Sequence, residues 1–436
     1  MRFFNKYLTK NIIWIYLCVL ICFSYITLMN AIPDHIYLEE GENLSLNKKI
    51  PVNVALCAPS TEAMSDVGLS TYAQVRERKT VHEVQNLSVG SYEMICYLFG
   101  IFPIKEVSVS VVDSTKVFAS GHIVGIYGKT DGVFVLGSSP IEVEDGSYVQ
   151  PAEHVLFPGD YILSVDGMRI YEKEELMEQI QLCDGNPLIL TVARGGDTIE
   201  VSVQPVAARS TQKKDIMSYM LGIWVKDDMA GIGTMTYVDR QGNFGALGHG
   251  ISDGETGNPL KLSSGSIYEA HILGVKKGRR GDPGELQGVV NYGKKNLIGE
   301  LNSNTEIGIY GKLSEDYSFE YNSEYIDYDM MSLAYKQDVK EGDAYIISEV
   351  SGQREAYHIV IDSIEYSPVD RNKGIRFHVD DERLLALTGG IIQGLSGSPI
   401  IQDDKLIGGV THVLINDPTK GYGIFIETML ESKNKI

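Results

Sequence analysis

Ser396 stands in the stretch GGIIQGLSGSPII, residues 389–401, where glycines interrupt a run of isoleucines. A serine acts as a nucleophile when a tight turn presents its hydroxyl to a cleft and backbone N–H groups face the developing oxyanion. Gly394 and Gly397 flank Ser396 and let the backbone turn that sharply. The competing G-x-S-x-G elbow does not fit. Its fifth position holds Ser398, and of the acid and histidine it needs after the serine, only His412 supplies a histidine. Ser398 therefore reads as a structural hydroxyl. A base is also required, normally histidine. Of nine histidines, His249 in GALGHGISD lies between two glycines after an apolar run, and His412 is the second candidate. For the group that orients the imidazole, Asp253, Asp380 and Asp381 are all candidates, and spacing does not choose among them.

These residues must be held by a scaffold, and the bulk numbers bound it. The chain has 436 residues, enough for several compact domains. A formal net charge of −20 argues against a nucleic-acid partner, whose phosphates need a basic surface. Near the start, Arg2, Lys6 and Lys10 precede the uncharged run from Ile12 to Met29. That run is long enough to cross a bilayer, so residues 11–31 read as a transmembrane anchor or signal behind a basic cytoplasmic flank, 1–10. Cys57, Cys96 and Cys183 lie outside it, form no C-x-x-C pair, and read as buried small side chains. No metal-ligand cluster or phosphate-cradling loop is visible, so no cofactor is expected.

Residues 32–112 show the alternation of short strands and read as a small β-rich spacer domain. From 113 to 206, glycine-punctuated strands, the turns FPGD and VDG, and a helix with Leu176, Ile180 and Cys183 on one face follow one another. The string PGDYILSVDG resembles a PDZ domain, which implies a peptide bound along a strand edge. The carboxylate-holding loop would then lie at Gly121, Ile123 and Gly125, although the usual G-L-G-F wording is missing there. Residues 207–219 read as a linker. From 220 to 436 many short strands at close spacing predict a barrel or sandwich. The basic stretch KKGRRGDPGEL, 276–286, reads as a solvated hairpin, or as a contact for substrate.

The G-x-S-G-x-P wording, with histidine before serine, is similar to that of chymotrypsin-like peptidases. That resemblance implies an oxyanion hole made by the N–H groups of Gly394 and Ser396, and a double β-barrel. More closely, residues 221–428 resemble the stage IV sporulation protein B (SpoIVB) serine peptidase family. The stretches GIWVKDDMAGIGTMTY, GALGHGISD, KKGRRGDPGE, DDERLLALTGGIIQGLSGSPII and GGVTHVLINDPTKGYGIFIE carry the resemblance. It implies His249, Asp381 and Ser396 as catalytic residues. It also implies an exported, membrane-anchored peptidase of a sporulating bacterium, in the space between forespore and mother-cell membranes. Its substrate would be the exported domain of a membrane-bound regulator, whose cleavage triggers intramembrane processing of a late sigma-factor precursor. Self-cleavage is a family property. The alternative, a membrane-anchored PDZ adaptor with a dead barrel, predicts the loss of Ser396, His249 or an oxyanion glycine, and all are present.

Overall fold

In the computed structural model of the chain the described residues are 2–30, 32–42, 52–57, 87–209, 217–254, 257, 259–317 and 330–433. The polar stretch 58–86 and residues 210–216 of the expected linker lie outside them. Arg2–Asn30 is one helix, and its window Ile13–Asn30 has mean hydropathy 1.9 with no part buried, so it is long and apolar enough to cross a membrane. His35–Glu39, Val52–Cys57, Gly90–Leu98 and Phe102–Val112 then form a four-stranded sheet in the order first, fourth, third, second. Period-two spacing puts Val107, Val109 and Val111 on one face, where they bury Ile36, Met94 and Cys96.

The rest of the chain is mainly β and contains two closed six-stranded barrels. The second runs Gly342–Ser348, Glu355–Ile364, Ile375–Val379, Asp417–Phe425, Lys405–Leu414 and Pro399–Gln402 around the ring. Alternate residues Tyr357, Ile359 and Ile361, and Ile375, Phe377 and Val379, fill its interior. The first runs Ile123–Ser138, Leu262–Lys276, Leu297–Thr305, Gly308–Leu313, Asn243–Ala246 and Ile223–Asp239, and closes where the last pairs with the first. Val124, Ile126, Met235, Phe244, Ile267 and Ile309 form its core.

Two strands of the first barrel are 16 and 17 residues long, and they serve two cores. Residues 123–130 pair with 262–269 on one side and 228–234 on the other, inside the barrel. Further along, Val133 and Phe134 pair with Ile162 and Tyr161, and Phe134–Ser138 with Ile223–Lys226. These far halves belong to an inserted unit whose sheet continues through Tyr161–Val165, Leu188–Arg194 and Asp197–Val203. The helix Lys173–Leu182 covers it with Leu176 and Ile180, and the half-buried Cys183 packs on the same core. Pairing thus assigns residues 116–130, expected in the PDZ-like segment, to the first barrel, and gives Leu221 to the core of the inserted unit. Both ends of the expected linker, 207–219, lie in strands: Val206–Arg209 forms a hairpin with Met217–Met220. An alternating strand reads the same whichever core it serves, and a partner a hundred residues away leaves no local mark.

Candidate active site

Ser396 lies on the turn that leads into the strand Pro399–Gln402, at the seam where the second barrel meets the first. Gly397 has φ +97°, and a Cβ there would come within 1.9 Å of the Thr234 carbonyl oxygen and 2.6 Å of the Leu247 nitrogen. Only glycine fits so close to two fixed backbones. The Ser396 hydroxyl donates to the Thr411 carbonyl at 2.9 Å. Among the described residues, neither the Gly394 N–H nor the Ser396 N–H has an acceptor. Two unpaired donors on one turn are what an oxyanion pocket requires. Ser398 is fully buried and is held through its backbone by Leu395 and Val410, which agrees with a structural role.

His249 follows the strand Asn243–Ala246 through a turn in which Leu247 adopts φ 69°. Its Nδ1 donates to the Gly250 carbonyl at 2.8 Å. That bond fixes the tautomer and leaves Nε2 as the acceptor nitrogen, the form a general base needs. Burial lowers its pKa, with the bond to Gly250 pulling the other way, so the ring is neutral at pH 7. The His412 ring lies 5.6 Å from it, centroid to centroid. Burial, with smaller contributions from His249 and Lys373, pushes His412 down to about 4, and its Nδ1 is buried with no partner among the described residues. His412 follows Thr411 in the chain, so the strand that takes the Ser396 hydroxyl also carries the ring beside His249, while no hydrogen bond joins Ser396 to either imidazole among the described residues.

The acids stand apart from this group. Asp381 is the N-cap of the helix Glu382–Thr388: its carboxylate accepts from the Arg383 and Leu384 N–H groups at 2.9 and 3.4 Å. It also accepts from the His358 N–H at 3.1 Å and the Arg383 guanidinium at 2.9 Å. Burial would raise its pKa, but Arg383 and these backbone donors outweigh it and hold it at about 2. Asp380 bonds the His358 ring, and the buried Asp253 pairs with Lys226. None of the three reaches His249, whose Nδ1–H is taken by the Gly250 carbonyl.

The peptide edge expected at Gly121, Ile123 and Gly125 is corrected. Ile123 is buried against the core of the second barrel, and Gly125 is paired on both sides, with Ile232 and Tyr268. The Gly121 N–H is spent on the Met235 carbonyl. No edge is left there for a peptide to join. An open edge beside a helix lies at Ile223–Asp227, where Ile223–Lys226 pair only with the strand Ile123–Ser138. The helix Lys173–Leu182 runs beside it, pinned by Lys173 on Asp227 and by Gln181 on the Tyr219 backbone. The signal for it was the string Leu221-Gly222-Ile223-Trp224, an apolar strand start behind a glycine at φ +67°. The basic stretch 276–286 is no free hairpin either: Leu286 donates to Gln393, Gln393 to Gly284, Gly278 to Thr388 and Gly281 to Ile415. It therefore forms a wall of the nucleophile turn.

Residues 217–430 match the family described as SpoIVB peptidase S55. Two curated relatives, putative zinc metalloproteases of Xylella fastidiosa strains Temecula1 and 9a5c, are each 28% identical over 138 residues, 31% of this chain and 26% of theirs. The chain thus matches about a quarter of the length of those relatives. Among the described residues, no group of three or more His, Cys, Asp or Glu side chains is arranged to hold a metal. Two solved structures are also similar. The PDZ domain of an SdrC-like protein from Listeria monocytogenes is 23% identical, covering 22% of this chain and 87% of that one, with TM-score 0.17. The HtrA-type protease AlgW with a decapeptide is 10% identical, covering 73% and 64%, with TM-score 0.30. The barrel assignment rests on the strand pairing, not on these two.

Proposed function

The chain belongs to the SpoIVB peptidase S55 family of serine peptidases, and on that premise we propose that Ser396, His249 and the N–H groups of Gly394 and Ser396 form its catalytic centre. The two unpaired N–H groups on the Ser396 turn carry this reading. The Ser396 hydroxyl turns away from Thr411, gives its proton to His249 Nε2, and its oxygen attacks the scissile carbonyl. The resulting oxyanion accepts from the Gly394 and Ser396 N–H groups. Imidazolium then protonates the leaving amine, and water repeats the cycle to free the acyl half. The Gly250 carbonyl holds Nδ1–H and so keeps Nε2 aimed, the orienting part of what a carboxylate does in a triad.

The N-terminal apolar helix would hold the peptidase at a membrane with its barrels exported. Its substrate would be the exported domain of a membrane-bound regulator, cut to release intramembrane processing of a late sigma-factor precursor in the intermembrane space of a sporulating cell. Self-cleavage belongs to the same reading. The open edge at Ile223–Asp227 would take an extended peptide segment or a C-terminus, in place of the edge expected at 121–125. The test uses the full chain in detergent, wild type and Ser396→Ala, alone and with the exported domain of a candidate regulator, with fragments followed by mass spectrometry. Discrete cuts by wild type and none by a folded Ser396→Ala variant are expected. Identical fragment patterns would remove Ser396 from the reaction.

A further inference from the structure

Thr234 lies in the first barrel, on the strand Ile223–Asp239, and is fully buried. Its hydroxyl donates to the Gly394 carbonyl at 2.7 Å. Its N–H donates to the Ser396 carbonyl at 3.0 Å, and its own carbonyl accepts from Leu247 at 3.2 Å. One residue therefore grips the oxyanion glycine, the nucleophile and the turn that carries His249. Those three belong to two different barrels, and the Gly394 side of the pocket is tied to the first barrel by the threonine hydroxyl. The peptide that carries the Gly394 N–H is held through the Gln393 carbonyl by the Leu286 N–H, and the Thr234 hydroxyl holds the next peptide. The two bonds together fix a glycine at φ +102° that would otherwise let its N–H swing out of the pocket.

We infer that Thr234 is a positioning residue, whose hydroxyl fixes Gly394 so that its N–H stays aimed at the oxyanion. This rests on the reading of Ser396 as nucleophile. The competing account is that a β-branched side chain merely fills the seam. Valine separates the two, because Thr234→Val keeps the shape and removes only the hydroxyl, whereas Thr234→Ser keeps the hydroxyl. Loss of a direct oxyanion donor costs about 100- to 1,000-fold in kcat. Loss of the bond that aims one should cost less, roughly 10- to 100-fold.

The experiment measures kcat and KM for the full chain in detergent on a peptide that wild type cleaves and Ser396→Ala does not. It adds binding of a peptide aldehyde, which mimics the oxyanion. For Thr234→Val the expected result is a kcat loss in that range, KM within about threefold, and aldehyde affinity reduced in step with kcat/KM. Thr234→Ser should recover most of both. If Val equals wild type in kcat and aldehyde affinity, or if Ser fails to rescue while remaining folded, the positioning role is overturned. Should the Val variant not fold, Thr234→Ser against Thr234→Ala decides: equal kcat overturns the inference, and a tenfold or larger advantage for Ser supports it. If wild type and Ser396→Ala are alike, the nucleophile reading itself fails, and the inference falls with it.

Discussion

The two barrels have the same number of strands but are written into the chain differently. The second is continuous, with every strand between residues 342 and 425. The first takes residues 123–130 and then resumes near 228, because the inserted unit grows out of the far ends of its two longest strands. The proposed chemistry is divided between them, with His249 on the interrupted barrel and Ser396 on the continuous one. The proposed active site is thus a property of the seam, and the seam is held by backbone contacts too close to admit a side chain. Gly397 tests this most severely. A methyl group there meets the Thr234 oxygen and the Leu247 nitrogen, both backbone atoms, at a φ that disfavours any other residue. Gly397→Ala is expected to cost at least about 3 kcal/mol and to abolish peptidase activity. Gly231→Ala, on the first barrel at a position with open space around it, should stay within about 0.5 kcal/mol. Thermal melting of both variants checks the pair, and equal melting temperatures would mean that the barrels are not locked at this point.

A second link across the seam is ionic. His122, beside the first barrel, bonds Glu349 of the second at 2.7 Å and lies 3.3 Å from Glu269 of the first. Burial opposes its charge, but the carboxylates of Glu269 and Glu349 outweigh it and raise its pKa to about 10. A raised folded-state pKa gives stability that is complete below the unfolded value near 6.5 and is lost as pH rises through about 10. His412, within the second barrel, works the other way. Its pKa of about 4 means that stability falls as pH drops from near 6.5, where the unfolded chain begins to take up protons. The melting temperature should therefore fall on both sides of a maximum near the unfolded histidine value. His122→Gln should flatten the alkaline limb and His412→Asn the acid limb, each by a few degrees. A His122→Gln profile that still falls from neutral pH to pH 10 as wild type does would remove the ionic link.

How much of this was legible in the sequence follows from the same contrast. Ser396 and its two glycines were visible because a turn that tight leaves a local signature, and His249 because a glycine stands on either side of it. Many strands of the barrels were legible from alternation, though not Leu262–Lys276 or Leu297–Thr305, and the helix at Lys173–Leu182 was legible from the spacing of its apolar face. The point where the inserted unit leaves the barrel was not, since residues 123–138 form one unbroken strand that changes cores without changing pattern. For the same reason Gly121, Ile123 and Gly125 looked like a free edge, although Gly125 is paired on both sides, Ile123 pairs with Thr234 and the Gly121 N–H is spent on Met235. Thr234 lies in the stretch GIWVKDDMAGIGTMTY that carries the family resemblance, but nothing in that string marks its role. Its role comes from residues 394 and 396, brought to it by the packing of one barrel on the other.

Asp381 is where resemblance and geometry part, and it gives the smallest expected effect. In a triad the carboxylate would bond Nδ1–H of His249, and its replacement by asparagine would cost kcat about 10⁴-fold by favouring the wrong tautomer. Here that proton is held by the Gly250 carbonyl, and Asp381 caps a seven-residue helix of the second barrel. Asparagine caps a helix nearly as well as aspartate, while alanine loses about 1 kcal/mol. Asp381→Asn puts an NH2 where one carboxylate oxygen accepts from both the His358 N–H and the Arg383 guanidinium, so it forfeits those two bonds while keeping the cap. The expected outcome is a melting temperature a few degrees below wild type for Asn, a lower one still for Ala, and a kcat for Asn within about tenfold of wild type. If Asn instead loses a thousandfold or more in kcat with its melting temperature unchanged, Asp381 reaches His249 during turnover, and the seam must open and re-form around the helix it now caps.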